Sequence, residues 1–218
     1  MDEQNKSSQL LEEDNSHFEN LYVDEMAGFL SPMESIEELT EKRIKKLESM
    51  IRSSFEYKNY ISYIKEELDV TKCALLEGLD IKDVSGVSLE LHHTPFTLYD
   101  IVEVVTKKLF DDAKVGGKVS NFDIAKQVMY EHYMGKVGLV PLSKTMHEAV
   151  HNNAVVVPAS KIYGDYKGFI DKYKEFIPID KLEAISNLLR YSETSASKNT
   201  TRNMLEIDAI RIESETDE

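Results

Sequence analysis

Four of the six histidines fall into two tight clusters, the adjacent pair His92-His93 and the spaced pair His147 and His151. Residues four apart on a helix share a face, with Cβ atoms about 6 Å apart, so His147 and His151 can offer two imidazoles to one cation. Successive residues in a strand point to opposite faces. His92 and His93 can therefore divide the labour, one binding metal while the other faces a reaction centre. The spaced pair also spells His147-Glu148-Ala149-Val150-His151, a literal HExxH, in which Glu148 would be the base of a metallopeptidase. That reading ranks lower: it leaves His92-His93 unexplained, and the helix is short, ending near Asn152-Asn153.

The surrounding sequence supplies elements to position these side chains. Val87 to His92 alternates apolar and polar residues and reads as a strand. Two helices follow, Leu98 to Phe110 capped by Thr97 with Asp100 as its capping-box acid, and Phe122 to Met134 capped by Ser120 with Asp123 in the same role; Gly116-Gly117 separates them. Gly138 to Leu142 suits a second strand, and Ser143 can cap a helix through Thr145 to about Asn152. Upstream, Ser31-Pro32-Met33-Glu34 predicts a helix start, and the apolar residues from Ile36 to Leu68 recur at three- and four-residue steps. They predict a long amphipathic helix, or a helix pair if Ser53-Ser54 breaks it. Downstream, Ala154 to Val157 reads as a short strand, Gly164 to Phe176 and Pro178 to Tyr191 as helices, and Met204 to Ile212 as a short ordered piece. His132, on the second inserted helix, reads as a packing histidine, and Cys73 as a small core residue.

The run Glu90-Leu91-His92-His93-Thr94-Pro95, then Gly138 to Ser143, then His147 to His151, resembles the HNH endonucleases, whose ββα-metal core is two strands followed by a helix. It looks most like the histidine-rich form found in colicin nucleases, and HHTPFTLYDIV with VPLSKTMHEAVH is also similar to HNH proteins of large bacteriophages. The resemblance covers about residues 86–153. It implies that His92, His147 and His151 hold a divalent metal, that His93 is the general base, and that Glu90 stands beside the substrate phosphate. Zinc is the expected resident, with Mg, Mn, Ni or Co as options for activity. DNA is the implied substrate. Three features depart from the family pattern. Its middle asparagine falls at Gly138, with Asn121, Asn152 and Asn153 as substitutes for the lost brace; CxxC pairs are absent; and no arginine lies between residues 53 and 189, leaving Lys136, Lys144 and Lys161 for phosphate contacts. The alternative is a catalytically degenerate, metal-stapled scaffold that binds another protein.

The 218 residues carry a formal charge of −14, but unevenly. Residues 1–85 hold 20 acidic and 10 basic side chains, residues 86–175 hold 11 and 11, and residues 176–218 hold 9 and 5. A neutral centre does not repel a polyanion as the net charge alone would suggest. No apolar run approaches the roughly 18 to 20 residues of a membrane span, and a single cysteine excludes a disulfide framework, pointing to a reducing cytoplasm, that of the host cell if the resemblance to phage proteins holds. The expected fold is α+β and mostly helical. It has an acidic disordered tail at 1–30, a helical segment at 31–69 able to meet a protein partner or dimerise, and an HNH-like unit at 70–160 with a helical insertion at 97–134. C-terminal helices at 161–191 and an acidic tail at 192–218 complete it.

Overall fold

The computed structural model describes residues 29–197 apart from 77–79, 81, 87, 114 and 115. The tail predicted at 1–30 lies almost wholly outside the described residues, and the piece at Met204 to Ile212 and most of the tail from 192 lie outside them too. Among the described residues the chain is mostly helical, with one small sheet.

The N-terminal helical segment is two helices, α1 (Glu41–Ser53) and α2 (Phe55–Glu66). Ser54 separates them. Its backbone is extended, and its Oγ accepts from the Tyr57 N–H at 3.1 Å while donating to the Ile51 carbonyl at 2.7 Å, so one side chain ends the first helix and starts the second. The predicted start at Ser31-Pro32 is corrected. Met33, fully buried, pairs its backbone with Val119 through bonds of 2.9 and 3.0 Å, which holds the chain extended there. Helix α1 begins only after a 3-10 turn at Ile36–Glu38, where the Thr40 side chain accepts from the Arg43 N–H. Ile44, Leu47 and Ile51 then bury one face of it.

Strands β1 (Leu89–His93) and β2 (Leu139–Ser143) pair antiparallel, with His92 opposite Val140 and His93 opposite Leu139. Between them run α3 (Leu98–Asp112) and α4 (Asn121–Tyr133), each opened by the capping box foreseen from Thr97/Asp100 and Ser120/Asp123. Helix α5 (Lys144–His151) starts directly after β2, with Ser143 accepting from the Met146 N–H. The order strand, two helices, strand, helix is thus the one expected. Helices α6 (Tyr166–Tyr173) and α7 (Ile179–Ser197) follow.

Two apolar cores hold these elements. The larger gathers Leu47, Ile51, Leu98, Ile101, Val128 and Phe169 from four helices. The smaller lies beside the hairpin and contains Cys73, Leu89, Val140, Leu142 and Met146, with Val155 and Val157. Ala154 to Val157 is not a strand. Asn153 turns the chain with φ of 56°, and Val155 and Val157 alternate inward around the exposed Val156, but among the described residues no strand pairs with them. The free side of β2 is met elsewhere: Leu139 and Tyr163 exchange two backbone bonds of 2.9 Å, and the Ala74 N–H donates to the Pro141 carbonyl at 2.8 Å. Buried Glu131 ties α4 to α6, accepting from Tyr173 Oη at 2.8 Å and from Lys172 Nζ at 2.5 Å.

Gly138 sits where the two strands begin to close. An added Cβ there would collide with the Thr94 carbonyl oxygen and the Ile162 side chain, while the Thr94 N–H donates to the Gly138 carbonyl at 3.0 Å. At the position that the resemblance aligns with the HNH asparagine, a backbone hydrogen bond ties Gly138 to Thr94. Asn121 does not substitute for it: its side chain bonds Phe29 and Arg43, far along the chain from the hairpin. Installing the asparagine, Gly138→Asn, is expected to cost about 1 to 3 kcal/mol through overpacking. A fall in the urea midpoint checks this, and an unchanged midpoint would mean that the loop accommodates the side chain.

Candidate metal centre

Alternation along β1 sends Glu90 and His92 toward α5, while α5 buries Met146 against the smaller core and turns His147 and His151 outward. Three imidazoles meet as a result. His92 lies 5.1 Å from His147 and 5.0 Å from His151 between ring centroids, and the two helical rings are 4.4 Å apart. One ligand nitrogen from each of the three lies within 4.8 Å of the others. His147 Nε2 and His151 Nε2 are 3.2 Å apart. Two nitrogens at about 2.05 Å from one tetrahedral ion stand about 3.3 Å apart, so this spacing fits joint coordination.

The protonation of the site suits a cation. Burial, reinforced by the two neighbouring imidazoles, pushes His92 down to about 4, and burial also holds His147 below the usual histidine range. Both are neutral at pH 7, the form that binds metal. Glu90 Oε2 lies 2.7 Å from His147 Nδ1, a carboxylate behind a candidate ligand. The donor set fits zinc, cobalt or nickel better than magnesium, which favours oxygen.

His93 stands apart from this group. It is 6% exposed, on the opposite side of β1, with Nε2 3.0 Å from His132 Nε2 and its ring stacked on Tyr57 at 6.2 Å. His132 Nδ1 lies 2.7 Å from the Val128 carbonyl. A carbonyl only accepts, so His132 carries its proton on Nδ1, its Nε2 is the acceptor, and His93 Nε2–H donates to it. Burial holds His93 well below the ordinary range and lowers His132 to about 4. Both are neutral members of a buried network. His132 is the packing histidine expected, but its partner is the histidine assigned as base.

Glu148 is exposed, and the third candidate ligand arises on a strand upstream of the helix instead of downstream, unlike the HExxH arrangement. Lys136 is engaged by Asp165, while Lys144 and Lys161 are exposed. Sequence reasoning passed over Arg52, one residue outside the arginine-free stretch. Its Nε and Nη2 bond Glu48 Oε1 at 3.0 and 2.8 Å, and its charge contributes to depressing His147, His93 and His132. Only the folding of α1 against the rest brings this cation near both histidine groups, and nothing in the local sequence signals it.

Fold and site together define a mostly helical α+β protein with a three-histidine candidate metal centre between a β-hairpin and the helix that follows it. The family model of bacteriophage G278-like virion proteins matches residues 2–217, and the chain belongs to that family. No curated protein and no solved structure matches it. Among the described residues, no helix is long and apolar enough to cross a membrane.

Proposed function

We propose that this phage protein carries a catalytically degenerate HNH-type unit, in which a divalent ion on His92, His147 and His151 staples hairpin to helix and the whole serves as an interaction scaffold in the virion. The observation that carries this reading is the placement of His93. A general base must come within hydrogen-bond reach of the water it deprotonates. His93 is buried on the far side of its strand, and its Nε2–H is committed to His132. Membership in a virion protein family agrees with a role in the particle. The N-terminal helical segment would meet the partner, either a basic virion protein or a second copy.

Incubating the protein with supercoiled DNA and Mg, Mn, Ni, Co or Zn in turn tests this. The expected result is one metal per chain and uncut DNA. Nicking that disappears in His93→Ala would overturn the scaffold reading.

One observation favours a second reading, a DNA endonuclease with His93 as base. Structural zinc sites are closed by four protein ligands, whereas three-ligand sites keep a position open, as hydrolysis requires. In that case α4 would have to withdraw from His93, and Glu90 and the metal ligands would serve the scissile phosphate.

A further inference from the structure

We propose that Glu90 is a positioning residue for the three-histidine centre: its carboxylate fixes His147 with the proton on Nδ1, so that Nε2 alone is presented toward His92 and His151. This rests on the metal-centre reading and gives Glu90 a different task from contact with a phosphate.

The register of the hairpin makes the arrangement possible. Glu90 and His92 are two apart on β1 and share a face, so the strand that offers one ligand also offers the carboxylate that orients another. Glu90 Oε2 stands 2.7 Å from His147 Nδ1. A carboxylate only accepts, so a neutral imidazole facing it at this distance is favoured with its proton on Nδ1, which leaves the lone pair on Nε2. That nitrogen faces the neighbouring ligand, 3.2 Å from His151 Nε2. Without Glu90 the ring is free to carry its proton on Nε2 or to rotate, and either change removes one of three donors. Carboxylate partners of ligating histidines typically change metal affinity about 10- to 100-fold.

Glu148 provides a matched control. It also acts on His147 through its charge, yet it is exposed and makes no contact with the ring nitrogen. Wild type, Glu90→Ala, Glu90→Gln and Glu148→Gln are to be titrated with cobalt, read by its visible absorption. Histidine 15N shifts of the metal-free proteins report which ring nitrogen carries the proton. The expected result is Nδ1–H at His147 in the wild type and a tautomer mixture in Glu90→Ala. Cobalt affinity should fall about 10- to 100-fold in Glu90→Ala, fall less in Glu90→Gln, whose amide oxygen can still accept, and hold in Glu148→Gln. Affinity in Glu90→Ala within twofold of wild type, or an equal loss in Glu148→Gln, would overturn the positioning role while leaving the centre standing. Absence of cobalt uptake by the wild type would instead remove the centre itself, and the proposal with it.

Discussion

Zinc at a hundredfold excess over its dissociation constant is expected to raise the melting temperature of this protein by about 5 to 11 °C. An ion that binds only the folded state at that excess adds about 2.7 kcal/mol, and a chain of this size gains about 2 to 4 °C per kcal/mol. The folded state alone assembles the site, because His92 comes from β1 while His147 and His151 come from α5, more than fifty residues later. His92→Ala should abolish the shift, a chelator should reverse it, and magnesium should give none. Thermal melts with zinc, cobalt and nickel check this. Unchanged melting with all three would mean that the imidazoles cluster without taking up an ion.

Acid is expected to destabilise the metal-free protein steeply below pH 6.5. His132 titrates at about 4 when folded, because burial disfavours its charge, and near 6.5 when unfolded. The unfolded chain therefore binds more protons between those values. Stability is fully present above pH 6.5 and is lost as pH falls toward 4, by about 1.4 kcal/mol per unit for each such group and about 3 kcal/mol in all for His132. His93 adds a loss of the same sign, since burial holds it well below its ordinary value and a proton on either ring repels the other. Urea unfolding in chelator at pH 7.5, 6 and 5 measures the slope. In His132→Gln the slope should shrink; a wild-type slope retained there would mean that the pair is not the acid-sensitive element.

Much of this architecture was legible because its signals are local. Thr97 with Asp100, Ser120 with Asp123, and Ser143 each cap the helix their spacing foretold. The period of His147 and His151 placed them side by side, and the strand parity of His92 turned it toward them. The misread features depend on distant partners. Ser31-Pro32 has the composition of a helix start, yet pairing of Met33 with Val119 keeps the chain extended. Val155 and Val157 alternate like a strand, but they pack on the hairpin through side chains and are not paired to it as a strand. The burial of His93 also depends on a distant partner. Its neighbour 39 positions away, His132, decides whether it faces solvent, and the residue types around His93 do not reveal where α4 will lie.

The flanking of β2 bears on how copies of this chain can meet. Tyr163 occupies one stretch of that border, and Pro141, which has no N–H to give, has its carbonyl taken by Ala74. Neighbouring copies thus find no ready template along this side for strand addition, the usual route by which exposed sheets recruit one another into fibrous aggregates. This border of the sheet stays closed to growth.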